Sequence, residues 1–256
     1  MNVLGLQLDI VWENKTANYD KVHRLLAAAR PEPGTLIVLP EMFATGFSMN
    51  ARDDTGEFLA DIAREYHANV LGGIVRDRHN EAVLFDAQGR EVARYAKMHP
   101  FAFAGEIFKP GTEPVVVDCC GFKLSPAVCY DLRFPELFRA GVKRGANLFA
   151  VIANWPTSRL DHWLTLLKAR AIENQAYVIG VNRCGRDPNV DYPGHSQIIS
   201  PRGEVLADAG DGEGALPATL DLSELQAYRR KFPVLVDLRR DNANRDSSLD
   251  NRCNLS

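Results

Sequence analysis

An apolar run that leads directly into a helix constrains the fold of this chain most, because a strand joined to a helix is the repeating unit of layered α/β folds. Residues 124–128 are typical of a strand entering the core, and Pro135 suits the first turn of the following helix. Cys129 stands near this junction and is a candidate nucleophile, since N–H groups at a helix start stabilise a thiolate and a developing oxyanion. A buried structural thiol is the alternative at this point.

Two further apolar strands end in polar residues. Residues 35–39 form a run of branched aliphatics that Pro40 ends, and Glu41 follows; residues 91–97 alternate in polarity and end in Lys97. Ligands gather where strand ends converge in layered α/β folds, so these ends bring a carboxylate, an ammonium and a thiol together. A thiol nucleophile needs a base, and acyl transfer needs a cation or donors for the oxyanion. Taken singly, Glu41 and Lys97 are also compatible with solvated loop positions.

The rest of the chain alternates between strand and helix patterns. Each half contains a predicted hairpin, with Gly89 in the turn of the first and Gly203 in the turn of the second. The two halves predict a pseudo-symmetric pair of sheets with helices outside, although chance similarity would give the same pattern.

Composition indicates one compact domain. The 256 residues are 46% hydrophobic and 25% charged, which is enough for a sizeable core within one α/β domain over residues 1–238. Residues 239–256 are polar and mixed in charge, and we expect a flexible or partner-contacting tail there.

Charge and cysteine content exclude several classes of function. The formal net charge is −3 and no basic stripe is present, so no nucleic-acid partner is expected. No apolar run approaches the length of a membrane span, and the N-terminus lacks a secretory leader pattern. Five cysteines, an odd number, favour a reducing compartment, so we expect a cytoplasmic protein. Metal-ligand spacings and phosphate-binding glycine loops are absent from the sequence, which predicts an enzyme without metal or cofactor.

Three motifs in a fixed order carry a resemblance to a known family. They are Leu-Pro-Glu-Met-Phe at 39–43, Tyr-Ala-Lys-Met-His-Pro-Phe at 95–101 and Cys-Tyr-Asp-Leu-Arg-Phe-Pro-Glu at 129–136. The chain resembles the nitrilase superfamily of carbon–nitrogen hydrolases, whose signature is a Glu-Lys-Cys triad, from its N-terminus to about residue 239. The runs at 40–49, 153–156 and 168–177 look most like the bacterial omega-amidase branch.

The resemblance implies a role for each motif residue. Glu41 would be the general base, Cys129 the nucleophile that carries a thioester, and Lys97 with the backbone N–H of Tyr130 the oxyanion site. A second glutamate of the family is matched by Glu106, which would hold Lys97 and the substrate amide. The family fold is a four-layer α-β-β-α sandwich. Its members commonly pair through their outer helices, and residues 232–236 resemble the segment that crosses to a partner, so we expect a homodimer or higher homo-oligomer.

An omega-amidase acts on small 2-oxo dicarboxylate monoamides, so a cation must meet the substrate carboxylate. The candidates for that cation and for the walls of a small pocket are Arg133, Arg159, Arg183, Phe43, Phe47 and Trp155. The alternatives are a deaminated-glutathione amidase, an N-carbamoyl hydrolase, or an inactive thiol-bearing binding protein. Cys119, Cys120 and Cys184 have no role that the sequence assigns.

Overall fold

Two sheets lie at the centre of the molecule. The structure is a computed structural model that describes residues 1–51 and 55–238. Over these residues the main strands form two sheets of six strands each, and a separate two-stranded hairpin lies beside them. The first sheet has the order β14-β1-β2-β3-β4-β5, and the second has the order β13-β12-β9-β8-β7-β6.

The strands of the first sheet are β1 (Asn2–Gln7), β2 (Leu36–Val38), β3 (Asn69–Arg76), β4 (His79–Phe85), β5 (Glu91–Ala96) and β14 (Gly214–Thr219). Those of the second are β6 (Val117–Cys119), β7 (Phe122–Val128), β8 (Leu148–Ala153), β9 (Tyr177–Asn182), β12 (Gln197–Ile199) and β13 (Val205–Asp208). The separate hairpin consists of β10 (Cys184–Arg186) and β11 (Asp191–Pro193).

The α-helices of the described residues are α1 (Lys15–Ala29), α2 (Gly56–Glu65), α3 (Pro135–Lys143), α4 (Leu160–Asn174) and α5 (Leu222–Lys231). Short 3-10 helices occupy Ala102–Ala104, Cys129–Arg133, Thr157–Arg159 and Val234–Asp237.

The two sheets have the same internal order, as the paired hairpins predict. In the first, β1, β2 and β3 run parallel and β4, β5 and β14 pair antiparallel to them or to each other. In the second, β7, β8 and β9 are the parallel strands, while β12, β13 and β6 are antiparallel. Each strand of one sheet therefore has a counterpart in the other, with β2 matching β8.

Alternate side chains of a strand face different layers. In β2, Leu36 and Val38 join the core between the sheets, whereas Ile37 packs towards Val22 of α1 and Leu59 of α2. On the far side, residues of α3 and α4 cover the second sheet. The layers are therefore helix, sheet, sheet and helix, which is the four-layer sandwich that the family resemblance implies.

The prediction that Pro135 lies in the first turn of the helix after Cys129 is confirmed, but a 3-10 helix separates that helix from the thiol. A residue before proline disfavours the α conformation, and Phe134 is extended at φ −105° and ψ 95°, so α3 starts only at Pro135. Cys129 instead opens the preceding 3-10 helix. The thiol is therefore beside the first N–H groups of a short 3-10 helix and not at the end of α3.

Residues 1–51 and 55–238 contain neither a helix long and apolar enough to cross a membrane nor a group of three or more His, Cys, Asp or Glu side chains arranged to hold a metal ion. The predicted tail at 239–256 lies outside the described residues. The expectation of an enzyme without metal or cofactor stays a prediction.

Candidate active site

Three strand ends meet where the two sheets face each other. Lys97 directly follows β5, Cys129 directly follows β7, and Glu41 comes three residues after β2. Lys97 Nζ lies 3.0 Å from Glu41 Oε1, and Lys97 and Cys129 line the same cavity. The structure therefore brings together the three residue types that the sequence placed at strand ends.

Lys97 bridges two buried carboxylates. Its Nζ donates to Glu41 Oε1 at 3.0 Å and to Glu106 Oε2 at 2.8 Å, and all three side chains are at most 1% exposed. Burial lowers the pKa of Lys97, but the two carboxylates outweigh burial and raise that pKa above its ordinary value. The ammonium is therefore charged at neutral pH, which suits a cation that would stabilise an oxyanion.

Glu41 accepts four hydrogen bonds. Lys97 Nζ and Asn80 Nδ2 donate to Oε1 at 3.0 and 2.7 Å, while the backbone N–H and Nδ2 of Asn154 donate to Oε2 at 2.8 and 3.2 Å. Burial raises the pKa of Glu41, but the charge of Lys97 and these hydrogen bonds together hold it below its ordinary value. Glu41 is therefore ionised, as a general base must be.

Asn80 also connects the two glutamates, because its Nδ2 donates to Glu106 Oε1 at 3.0 Å. The four side chains thus form a closed ring in which Lys97 and Asn80 each contact both carboxylates. Within the described residues, Asn80 Oδ1 is buried and has no hydrogen-bond partner. A buried carbonyl without a hydrogen bond costs free energy. The fold bears that cost, which indicates that the bonds donated by the Asn80 amide outweigh it.

Cys129 has an uncommon backbone conformation, with φ 49°. Non-glycine residues rarely adopt positive φ, and such conformations are concentrated at functional sites. Burial, and then the negative charge of Glu41, raise the pKa of the thiol well above its ordinary value, although Lys97 opposes this. At rest the thiol is therefore neutral, and a base would have to remove its proton before it could act as a nucleophile.

The segment after Cys129 is held by a buried carboxylate. Asp131 accepts from the Tyr95 hydroxyl at 2.7 Å, from the Val128 N–H at 3.1 Å and from the His99 N–H at 3.0 Å. Its Oδ1 also lies 2.7 Å from His99 Nδ1. Because Val128 directly precedes Cys129 while Tyr95 and His99 flank Lys97, Asp131 fixes the thiol and the ammonium relative to each other.

A cavity of about 70 Å³ opens beside the thiol. It is small, with aromatic and cationic walls, and its lining includes Phe47, Phe101, Tyr130, Arg133, Asn154, Trp155, Arg159, Val190 and Tyr192. Four of the predicted pocket residues therefore lie at the cavity: Phe47, Arg133, Trp155 and Arg159.

Both arginines of the cavity contact rings. The guanidinium carbon of Arg133 lies 4.7 Å from the ring centroid of Trp155, and that of Arg159 lies 5.4 Å from Phe101. Arg133 also donates to His162 Nδ1 at 3.2 and 3.3 Å. Burial, and then the charge of Arg159, lower the pKa of Arg133. Two cations that repel each other at one cavity mouth favour an anionic ligand.

Two predicted pocket residues lie elsewhere. Phe43 is fully buried in the core outside the first sheet, where its ring is 6.2 Å from that of Tyr19. The guanidinium of Arg183 is buried and donates to the carbonyls of Ile10, Cys184 and Arg186, so it ties loops together and does not line the cavity. The expectation that Phe43 and Arg183 contact the substrate is corrected accordingly.

The sequence reasoning missed two asparagines that contact Glu41. Asn154 follows β8 as Glu41 follows β2, so the same search for polar residues at strand ends finds it. Asn80 lies inside β4, where nothing in the local pattern marks it.

Comparison with known proteins assigns this chain to a family. The family model for carbon–nitrogen hydrolases matches residues 5–230. An omega-amidase of Yersinia enterocolitica is 41% identical over 91% of this chain and 94% of its own. A 2-oxoglutaramate amidase of Bacillus subtilis is 35% identical over 92% of this chain and 96% of its own.

Solved structures agree with these relatives. A CN-hydrolase superfamily protein of Xanthomonas campestris, with an arsenic adduct in its active site, has a TM-score of 0.87 and 30% identity, covering 94% of this chain and 97% of its own. An amidase variant of Nesterenkonia, in which acrylamide has added to the active-site cysteine, has a TM-score of 0.79 and 26% identity, covering 90% and 97%.

Proposed function

This chain belongs to the carbon–nitrogen hydrolase family, and from that premise we propose that it is an omega-amidase. It hydrolyses the terminal carboxamide of small 2-oxo dicarboxylate monoamides, such as 2-oxoglutaramate and 2-oxosuccinamate, to the acid and ammonia. The relatives named omega-amidase and 2-oxoglutaramate amidase support this reaction. The single observation that carries it is the contact of Lys97 with Glu41 beside the Cys129 thiol.

In the proposed reaction, Glu41 takes the thiol proton as Cys129 Sγ attacks the carboxamide carbon. Lys97 and the N–H of Tyr130 stabilise the oxyanion of the tetrahedral intermediate. Glu41 then returns the proton to the leaving nitrogen, the C–N bond breaks, and ammonia departs from a thioester on Cys129. Glu41 next takes a proton from water, whose oxygen attacks the thioester carbon. The C–S bond then breaks, Glu41 returns the proton to Cys129 Sγ, and the acid is released. Glu106 holds Lys97 in place throughout.

Arg133 and Arg159 are the proposed partners of the substrate carboxylate. Guanidinium groups bind carboxylates through paired hydrogen bonds, and both groups line the cavity that contains Cys129. The contacts of their side chains within the described residues are with rings and an imidazole, not with a carboxylate, so their donors suit an anionic ligand. Phe47 and Trp155 form the proposed apolar walls beside them.

We expect the enzyme to act in the cytoplasm as a homodimer or higher homo-oligomer. Phe232 and Val236 are 57% and 77% exposed at the end of the described chain. Exposed apolar side chains in one short segment support a protein contact there.

The test is ammonia release from 2-oxoglutaramate and 2-oxosuccinamate, compared with aliphatic amides, a nitrile, deaminated glutathione and N-carbamoyl amino acids. Cys129→Ala should abolish release, and Cys184→Ala, which removes another buried thiol, should not. Turnover of another compound alone would still support the thiol chemistry but would assign the enzyme a different substrate. Release of CO₂ with ammonia would indicate an N-carbamoyl hydrolase, and no turnover of any compound would favour the binding protein.

A further inference from the structure

The β10–β11 hairpin has no counterpart beside the first sheet within the described residues. Residues 77–78 alone join β3 to β4, whereas residues 183–196, which contain the hairpin, separate the matching strands β9 and β12. Two residues of this longer segment, Val190 and Tyr192, line the cavity that contains Cys129. Loops held on a rigid scaffold often carry binding residues, so this segment is a candidate for substrate selection.

Backbone contacts hold the hairpin in place at both ends. In its turn, Asp187 Oδ1 accepts hydrogen bonds from the N–H groups of Asn189 and Val190 at 2.7 and 2.8 Å. At its base, the Cys184 N–H donates to the carbonyl of Leu8, which follows β1, at 2.9 Å. The hairpin therefore has a fixed position relative to the first sheet.

The ring of Tyr192 is supported by two charged side chains. Its hydroxyl donates to Asp187 Oδ2 at 2.6 Å, and the guanidinium carbon of Arg183 lies 4.3 Å from its ring centroid. A cation at that distance from an aromatic ring is attracted to it. Tyr192 and Asp187 are each 7% exposed, and Arg183 is fully buried. Arg183, which does not line the cavity, thus supports a ring that does.

The Tyr192 hydroxyl cannot donate to a substrate while it donates to Asp187. Burial, and then the bond to Asp187, raise the pKa of Tyr192, so the hydroxyl keeps its proton. A phenol has one proton to donate, and Asp187 receives it. Carbonyl and carboxylate oxygens of a substrate need donors. Tyr192 therefore offers the substrate a held surface, and its effect on selection is through shape.

The proposed reaction, on which this inference rests, places the acyl chain of the substrate between two fixed points. The carboxamide carbon meets Cys129 Sγ, and the carboxylate meets Arg133 and Arg159. Thr157 Oγ1 donates to the Asp191 carbonyl at 2.9 Å, so the hairpin is bonded to the 3-10 helix that carries Arg159. A cavity of about 70 Å³ with a held ring in its wall leaves little room for a longer chain.

We propose that Tyr192 is a specificity-determining residue that limits the length of the acyl chain, and that Asp187 is the positioning residue for its ring. The enzyme accepts monoamides of four and five carbons and discriminates against longer homologues. One methylene in an apolar pocket changes kcat/KM about 10- to 200-fold, which sets the size of the expected effect.

The first experiment measures kcat/KM for 2-oxosuccinamate, 2-oxoglutaramate and the six-carbon 2-oxoadipamate. The wild type should prefer 2-oxoglutaramate to 2-oxoadipamate by about 10-fold or more. Tyr192→Leu should bring this ratio close to one through faster turnover of the longer compound, whereas Tyr192→Phe keeps the ring and should keep most of the ratio. Both compounds meet the same enzyme, so any misfolded fraction cancels from the ratio.

Asp187→Ala tests the support of the ring. It removes the acceptor of the Tyr192 hydroxyl and of the turn N–H groups, so the ratio should fall, although less than in Tyr192→Leu. A loss of stability alone would lower the turnover of both compounds equally. An unchanged ratio in Asp187→Ala would therefore overturn its positioning role.

Equal turnover of the five- and six-carbon monoamides by the wild type, or equal ratios in Tyr192→Leu and the wild type, would overturn the role of Tyr192. A second measurement does not depend on the proposed substrate, because acrylamide adds to the active-site cysteine of the Nesterenkonia relative. Alkylation of Cys129 by acrylamide and by the longer 2-hexenamide is followed by peptide mass mapping. Tyr192→Leu should raise the relative rate of 2-hexenamide. If no 2-oxo monoamide is hydrolysed, the proposed substrate fails, and an unchanged alkylation ratio would separately overturn the role of Tyr192.

Discussion

Asn154 occupies in the second sheet the place that Glu41 occupies in the first, and the two hydrogen bond to each other, with the Asn154 N–H 2.8 Å from Glu41 Oε2. Each follows the middle strand of three parallel strands. Asn154 Nδ2, Lys97 and Asn80 complete four donors on Glu41. The bond from Asn154 Nδ2 is the longest of the four at 3.2 Å, so we expect it to lengthen first when Glu41 takes the thiol proton in the proposed reaction.

Asn80 should set the acid limb of the activity profile. The lowered pKa of Glu41 is opposed by burial and maintained first by Lys97 and then by Asn80. Asn80→Ala removes a donor to a charged group, which is worth about 1.5–3 kcal/mol, so the pKa of Glu41 rises and less of the base is ionised at low pH. The acid limb of kcat/KM should move upward by about one pH unit or more.

The isosteric Asn80→Asp variant provides the comparison. It adds a carboxylate beside Glu41 and Glu106, so like-charge repulsion should move the limb further upward than Asn80→Ala does. Rate measurements from about pH 4 to 8, the range in which an elevated carboxyl pKa falls, give both profiles. Acid limbs that coincide with the wild type in both variants would contradict the role of Asn80.

Removing Lys97 should destabilise the fold as well as stop turnover. Lys97→Met leaves Glu41 and Glu106 buried without their cation, and breaking such a pair costs about 3–5 kcal/mol in the free energy of unfolding. In the wild type, the lowered pKa of Glu41 contributes stability above the unfolded value of 4.5 that is lost as pH falls through the folded value. Without Lys97 only the hydrogen bonds of Asn80 and Asn154 oppose the effect of burial, so the pKa of Glu41 rises and the deficit should shrink towards acid pH.

Urea unfolding of Lys97→Met, Glu106→Gln and the double variant at two pH values measures this. Glu106→Gln removes one of the two buried carboxylates that Lys97→Met leaves without a cation. The double variant should therefore lose less stability than the sum of the losses in the two single variants. If the stability losses of the two single variants add up to that of the double variant, Lys97 and Glu106 are not energetically coupled.

Arg133 and Arg159 should determine affinity for the acid end of the substrate. Arg133→Met and Arg159→Met keep an apolar stem and remove the charge, so KM for 2-oxoglutaramate should rise about 10- to 100-fold with a smaller change in kcat. Their activity on a neutral aliphatic amide should change little. Arg90→Met, in the exposed β4–β5 turn, is the control. Equal effects on charged and neutral amides would assign the arginines to packing instead.

Two neighbouring glycines of β3 offer a test of how far the backbone of Glu41 can move before activity is lost. A Cβ on Gly73 would lie 2.5 Å from both Glu41 Cα and Met42 N, whereas one on Gly72 would lie 2.8 Å from the end of the Leu59 side chain. Gly73→Ala must move the backbone of the base, and a displacement near 1 Å can cost about 10²-fold in kcat.

Gly72→Ala should lower stability by about 1–3 kcal/mol and leave kcat close to wild type, because a leucine side chain can adjust. Circular dichroism checks that both variants are folded before kcat is compared. Similar kcat values for Gly73→Ala and the wild type would show that the turn at Glu41 tolerates displacement.

The sequence predicts the layers and the reactive strand ends because both depend on local patterns. Buried strands such as Tyr177–Asn182 are continuous apolar runs with clear limits, and a charged residue directly after such a run stands out. The sequence does not predict which way a side chain after a strand points. Phe43 and Phe47 look alike in sequence, but the left-handed turn at Met42, φ 45°, helps decide which one reaches the cavity.

Other site residues depend on pairing between distant segments. Asn80 reaches Glu41 because β4 lies beside β3 and β5 in the sheet, and nothing within β4 indicates that contact. Arg183 follows a strand as Lys97 does, yet its guanidinium donates to the carbonyl of Ile10, which follows β1, at 2.9 Å and to carbonyls of β10. Such partners are fixed only once the chain has folded.

Glu41 and Lys97 belong to one sheet, and Cys129 and Asn154 to the other, while no ladder of main-chain hydrogen bonds joins the two sheets in the described residues. In the proposed reaction, the alignment of Lys97, Glu41 and Cys129 thus depends mainly on how side chains pack between the two sheets. A small displacement of one sheet over the other would leave the hydrogen bonds within both sheets intact and still separate the thiol from Glu41. Catalytic competence is therefore a more sensitive gauge of this molecule's integrity than its content of regular structure.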